Sequence, residues 1–172
     1  YLIADWGIER FRAAVERVLG YRLDDCTDDD VHGVDDHMEC QPQKAGRWSY
    51  GLCVENGRAR DADTVDTKAA LRELAQPLGT EIRLAGNQSL LFCDIEPERR
   101  DQVASILTRH NIRTSEETSL VRRYAMACVA LPTCGLAITE AERRLPGVID
   151  DLERSLAKLG LNAERFTVRM TG

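Results

Sequence analysis

Apolar residues recur at helical spacing at Ile8, Phe11, Val15, Val18 and Leu19, with Glu9, Arg10, Arg12, Glu16 and Arg17 between them. This predicts an amphipathic helix that Gly20 ends. From Asp24 to Gly46 the periodicity disappears and Asp, Gly, Pro and Gln accumulate, which predicts a long loop or linker. Trp48, Tyr50, Leu52 and Val54 then alternate with Ser49, Gly51 and Cys53, the signature of a half-buried strand running to Glu55 and closed by an Asn56-Gly57 turn. Asp66 is placed to cap a helix to about Leu78, with Ala70, Leu71, Leu74 and Leu78 inward and Gly79 as its stop. A strand is predicted at Glu81 to Leu84, a turn at Gly86-Asn87, and another strand at Ser89 to Ile95. Pro97 opens a helix with Val103, Ile106, Leu107 and His110 on one stripe.

The order β-α-β-β-α over residues 48–110 is that of a ferredoxin-like α+β sandwich, and a closing strand is expected near Val121 to Met126. Further on, Thr139 and Glu142 have capping-box spacing, predicting a helix that stops near Pro146. A second helix is expected to run from there through Val148, Ile149, Leu152, Leu156 and Leu159 to Gly160. Phe166, Val168 and Met170 alternate as a final strand. Three regions follow from this pattern: a helix and linker at 1–46, the half-domain at 47–118, and the start of an α/β domain at 119–172.

The hydrophobic fraction is 43% but aromatics are only 5%, so the core is expected to be aliphatic. A net charge of −6 argues against a broad nucleic-acid footprint, which needs a positive face. No apolar run reaches the roughly 18 to 20 residues of a spanning helix, and no signal segment opens the chain, so a soluble protein without a membrane partner is expected. Tyr1 stands in place of Met and a helical pattern begins at once, which suggests part of a longer polypeptide.

Six cysteines without a secretion signal point to buried thiols or metal ligands in a reducing cytoplasm. Cys26, His32, His37 and Cys40 have tetrahedral zinc chemistry but lack the paired short spacings of a zinc site, and a solvated loop is the preferred reading. Asp24, Asp25 and the run Asp28-Asp29-Asp30 read as a solvated linker. Cys53 and Cys93 fall in predicted strands and read as small core residues. Arg122 and Arg123 read as a solvated pair before a loop.

Cys128 and Cys134 enclose five residues, including Pro132, which stiffens the backbone between them. Thiolates ligate iron–sulfur clusters, and two on a stiff loop can reach two corners of a cubane. By spacing alone they could equally be two buried thiols in an apolar loop.

The flanking residues narrow the choice. Arg123-Tyr124-Ala125-Met126-Ala127-Cys128 continuing through Leu131-Pro132-Thr133-Cys134-Gly135-Leu136 to Thr139-Glu140-Ala141-Glu142-Arg143 closely resembles the cluster segment of sulfite reductase hemoproteins, of the sulfite/nitrite reductase superfamily. Ile82-Arg83-Leu84-Ala85-Gly86-Asn87-Gln88 is similar to that family's strand turn, and Val54-Glu55-Asn56-Gly57-Arg58 to its hairpin. Trp6-Gly7-Ile8-Glu9-Arg10-Phe11 extends the resemblance to nearly the whole chain.

The resemblance implies a six-electron reduction of sulfite to sulfide at a siroheme coupled to a 4Fe–4S cluster. Cys128 and Cys134 would be two cluster ligands; Arg83, Asn87, Gln88 and Arg169, by motif position, would contact the macrocycle. The other two ligands of the family belong to a Cys-Pro-Asn-Gly-Cys motif that follows an Arg-x-Thr-Gly sequence, here Arg169-Met170-Thr171-Gly172. The chain is therefore expected to carry half a cluster site and to be inactive alone, with no catalytic acid or base named in it. Siroheme nitrite reductase is the alternative within the class, and a cofactor-free ferredoxin-like binding module the alternative outside it. The electron donor would be a flavoprotein subunit or a ferredoxin.

Overall fold

The computed structural model describes residues 2–25, 36–62 and 64–172. The chain divides into two compact units, Tyr1–Asp35 and Asp36–Gly172. Cys26, His32 and the Asp28-Asp29-Asp30 run lie outside the described residues.

The first unit contains α1 (Leu2–Trp6) and α2 (Ile8–Leu19), separated at Gly7. The helix predicted from periodicity is α2, and it ends as expected: Gly20 adopts a left-handed conformation and donates its N–H to Glu16 O at 2.9 Å. Arg12 pairs with Glu16 at 3.2 Å and Asp25 at 2.6 Å, tying the segment after the helix back onto it.

The second unit opens with β1 (Glu39–Pro42), followed by β2 (Trp48–Leu52), α3 (Thr67–Ala75), β3 (Glu81–Leu84), β4 (Leu90–Ile95) and α4 (Arg100–Arg109). The four strands make one antiparallel sheet in the order β1-β2-β4-β3. Its core joins Tyr50, Leu52, Phe92 and Ile95 of the sheet to Ala70 and Leu74 of α3 and Val103, Ile106 and Leu107 of α4. Both helices form near where the sequence places them because their apolar stripes cover that sheet face, but α3 stops at Ala75, short of Leu78, Asp66 sits at its N-cap without a side-chain hydrogen bond, and Pro97 opens a 3₁₀ turn, Pro97–Arg99, that leads into α4. Opposite Ser49 the β4 strand carries one extra residue, and Asp94 there has φ 59°. This is a bulge, and Gln43 Oε1 accepts the Asp94 N–H at 2.9 Å.

The fourth strand of the sheet comes before the β-α-β-β-α run and not after it. Glu39–Pro42, inside the expected linker, pairs with β2 in the register Glu39↔Gly51 to Pro42↔Trp48. Four residues with φ 65° at Glu39 carry no alternation, so only the waiting edge of β2 makes them a strand. Segment 121–126 does not close the sheet: Leu120–Arg123 is a short helix, α5, and Ala125–Ala127, β5, pairs elsewhere. The β2 strand is buried on both faces, because Met38 and Ser115 cover the side read as exposed.

In the rest of the unit, α6 (Leu145–Leu159) connects β5 to β6 (Val168–Met170), and the two strands pair in parallel with Ala125↔Val168 and Ala127↔Met170. This β-α-β arrangement has its own core of Val121, Ala127, Ala130, Ala141, Leu145 and Ile149. The helix expected from Thr139 to Pro146 is absent; the segment is a series of turns, and Glu142 is engaged by Arg58 and is no capping residue. Pro146 lies in the first turn of α6, where its missing N–H costs nothing, and Gly160 ends the helix in a left-handed conformation. Among the described residues, no helix is long and apolar enough to cross a membrane.

Candidate functional site

Parallel strands joined by a helix bring both carboxyl ends to one edge, the usual place for a site in such units. Here that edge carries Cys128 after β5 and Gly172 after β6. Cys128 donates its N–H to Met170 O at 3.1 Å, and its exposed Sγ accepts the Gly172 N–H at 3.4 Å. Gly172 is packed against Thr139 O, and a Cβ there would lie 2.6 Å from the Ala130 Cβ.

The loop itself turns at Ala130, a fully buried residue with φ 46°, whose carbonyl accepts the N–H of Thr133 at 3.0 Å and of Cys134 at 2.8 Å. The Leu131–Pro132 peptide is cis. Cys134, half-buried, is thus anchored by its backbone to the same turn that follows Cys128. Beyond it Leu136 is 94% exposed and Ile138 88% exposed, so the loop rim is apolar.

Two turns of the half-domain hold the two ends of this segment. At the β3–β4 turn, Gln88 Nε2 donates to Ala127 O at 2.9 Å. At the 3₁₀ turn Glu55–Gly57, Asn56 Nδ2 donates to Glu142 O at 3.1 Å and Arg58 forks onto the Glu142 carboxylate, one arm at 2.6 Å.

Arginines supply the remaining links. Arg122 reaches Glu55 at 2.8 Å, Asp150 at 2.5 Å and Glu153 at 2.9 Å, bridging that turn to α6. Burial by itself would lower its pKa, but hydrogen bonds with Glu153 and Asp150 more than offset this, and it is raised. Arg123 is only 9% exposed; it donates to Thr118 O at 3.1 Å and Ser115 O at 2.6 Å, and pairs with Glu39. The expectation of a solvated pair is therefore wrong. A position before a loop says nothing about which carboxylates and carbonyls the fold brings around it.

Glu153 is held below the usual carboxylate range, first by its hydrogen bond from Arg122 and also by Ser119. A depressed folded value means that this stabilisation is complete above the ordinary value of 4.5 and is lost as pH falls through the lower folded value. Urea midpoints measured between pH 6 and pH 3.5 are accordingly expected to fall more in the wild type than in Glu153→Gln, which has no such proton to gain.

Residues 41–110 match the family model described as nitrite/sulfite reductase ferredoxin-like half domain. The whole chain is 40% identical over 172 residues to the sulfite reductase [ferredoxin] of Synechococcus elongatus, covering 28% of that protein. It is 35% identical to the sulfite reductase [NADPH] hemoprotein beta-component of Geobacillus kaustophilus, covering 30% of it. The chain is thus similar along its full length to members of the nitrite/sulfite reductase family. Its fold also superposes on the structure of the Mycobacterium tuberculosis NirA protein with a TM-score of 0.71 and 28% identity, over 99% of this chain and 31% of that one. It thus spans under a third of the length of these relatives.

Within this fold, Gln88 and Arg169 adjoin β5, the strand that leads to Cys128, and Arg83 stands apart on an exposed edge strand. Asn87 and Gln88 are adjacent but face different clefts. Asn87 lies in one with Asn56, Arg122, Arg123 and Leu145, and Gln88 in one with Gly57 and Leu84. The Asn87 Nδ2 and Oδ1 and the Gln88 Oε1 are buried without a hydrogen-bond partner. Arg83 is exposed on edge strand β3, paired with Glu81 at 3.2 Å. Arg169, on β6 opposite Met126, donates to Tyr124 O at 2.7 Å.

Among the other cysteines, Cys93 is buried in β4, whereas Cys53 is half-buried just after β2 and not in it. Burial pushes both thiols up, which favours the protonated form. Cys40, on β1, packs partly buried against the core, and among the described residues no three His, Cys, Asp or Glu side chains cluster as metal ligands. The holding contacts of Asn56, Arg58 and Gln88 were not legible as such, since their partners lie 86, 84 and 39 residues away.

Proposed function

We propose that Cys128 and Cys134 are two thiolate ligands of a 4Fe–4S cluster in a siroheme-dependent sulfite reductase, and that the intact protein reduces sulfite to sulfide by six electrons. One observation carries this reading. An exposed thiol stands at the carboxyl end of a parallel strand pair, accepting a backbone N–H, in a chain similar along its full length to sulfite reductases. Soft sulfur donors flanked by amide N–H groups suit iron–sulfur binding, because the N–H groups offset thiolate charge. The donor set therefore fits the cluster. It is incomplete for a cubane among the described residues, so the 172-residue chain alone is proposed not to turn over.

For the macrocycle, Arg83 and Arg169 are exposed although they pair with Glu81 and Tyr124 O, whereas Arg122 and Arg123 are largely buried among carboxylates and carbonyls. We assign siroheme carboxylates to Arg83 and Arg169, and contacts at the turn to Asn87 and Gln88. When bound, the coupled cofactors supply the electron transfer; the protein's work is to hold the thiolates, orient them and keep the flanking segment dry. The relatives' names carry ferredoxin in one case and NADPH in the other, and the electron donor we assign is a ferredoxin or a flavoprotein subunit. Nitrite is the second candidate substrate, since the matching family spans both.

In the intact protein, Cys128→Ser and Cys134→Ser are each expected to lower bound iron and sulfite-dependent turnover by more than about tenfold, since even residues behind metal ligands cost that much. Iron analysis and the visible spectrum measure this. Wild-type iron content in both variants would overturn the ligand assignment, and an intact wild-type protein without iron would leave only a cofactor-free binding module.

A further inference from the structure

The geometry points to Gln88 as a positioning residue for Cys128, a role that rests on Cys128 being a cluster ligand and comes in addition to the macrocycle contact proposed for the turn. The peptide between Ala127 and Cys128 is held at both ends. Its carbonyl accepts Gln88 Nε2 at 2.9 Å, and its N–H is donated to Met170 O at 3.1 Å. A planar peptide pinned at oxygen and nitrogen has no freedom to rotate, which fixes the Cys128 Cα and the axis about which its side chain turns, and the Gly172 N–H to Sγ contact at 3.4 Å limits that turn. The thiolate direction then depends on a side chain from the β3–β4 turn, 39 residues earlier.

Gln88 is built to be rigid. Its φ of 64° is an unusual backbone state for a residue with a side chain, held by Gln88 N–H to Ala85 O at 3.2 Å and Ala85 N–H to Ser89 O at 2.9 Å. Gly57 walls its stem, since a Cβ there would sit 3.1 Å from the Gln88 Cβ. The amide must present nitrogen to Ala127 O, because the reverse orientation would set two oxygens against each other. A plain space-filling residue would need neither the buried amide, whose Oε1 has no hydrogen-bond partner, nor that orientation.

The test compares Gln88→Met, which keeps length and removes the donor, with Gln88→Glu, which keeps shape and reverses the polarity. In the 172-residue chain, amide hydrogen exchange at Cys128 is expected to quicken at least tenfold in both variants, while amides of β2, β4 and Cys134 stay within twofold. In the intact cluster-loaded protein, the reduced cluster's electron paramagnetic resonance signal is expected to shift in Gln88→Met at unchanged iron content. An unchanged Cys128 amide, or a uniform rise along the chain, would overturn the role. So would a loosened amide beside an unshifted signal. A wild-type intact protein without iron would remove the cluster reading instead, and the exchange measurement would still decide whether Gln88 fixes the peptide.

Discussion

Gly51→Ala is expected to destabilise the protein by about 3 kcal/mol or more, the upper end of overpacking costs, because the added methyl has nowhere to go. A Cβ at residue 51 would overlap His37 O and sit 2.6 Å from Met38 Cα, both backbone atoms that cannot swing aside. The close approach exists because segment 37–39 crosses this point of β2 to enter β1, pairing Glu39 with Gly51. Relief would have to come from moving β1 away, which would uncover Met38, 2% exposed, and Ser115, fully buried. Ser115 Oγ donates to Gly51 O at 2.6 Å and accepts the Cys53 N–H at 3.2 Å, so the disturbance would reach the residues just after β2. Thermal unfolding should show a loss of about 10 °C for a chain of this size. Gly86→Ala is the control: nothing lies within 4 Å of where its added methyl would sit, and its midpoint should stay within about 2 °C, as for an open surface site. Equal midpoints for both variants would show that the crossing is not tight.

Arg123→Met is the second large expected effect, about 3 kcal/mol, since hydrogen bonds from a charged donor contribute about 1.5–3 kcal/mol each and two carbonyls lose theirs. The carbonyls are Ser115 O and Thr118 O, both in the segment leading into α5, and Ser115 is fully buried. The Glu39 carboxylate also loses its partner, but it is partly exposed and water can replace the arginine. Arg123→Lys should recover only part of the loss, since one ammonium cannot reproduce the planar fork that meets both carbonyls and Glu39. Urea unfolding of the three proteins measures the order wild type, Lys, Met. A methionine variant as stable as the wild type would show that the arginine's burial costs as much as its bonds return.

These two residues mark the limit of local pattern. Gly51 lies in a strand whose alternation was readable, yet its need to be glycine comes from a segment that reads as linker. Arg123 reads as a solvated cation from its neighbours, and is buried because Glu39 and the Ser115 to Thr118 turn meet it. The same reason explains the absent helix at Thr139 to Pro146: the capping-box spacing was present, but Arg58 and Asn56 take up Glu142 and hold the segment as turns. Local hydrogen-bonding preferences lose when a tertiary partner offers a better arrangement.

Short-range periodicity and motif are enough to specify part of this fold. The β-α-β-β-α run, α2 with its Gly20 stop, α6 ending at Gly160 and the Cys128–Cys134 loop all follow from apolar spacing, glycine conformation and near neighbours in the chain. Long-range contacts settle the rest: which strand completes the sheet, that β5 and β6 pair in parallel, and that Gln88, Arg58 and Asn56 hold the loop from both sides. Those outcomes turn on contacts between residues tens of positions apart, whose closing entropy is offset only when both cores form together.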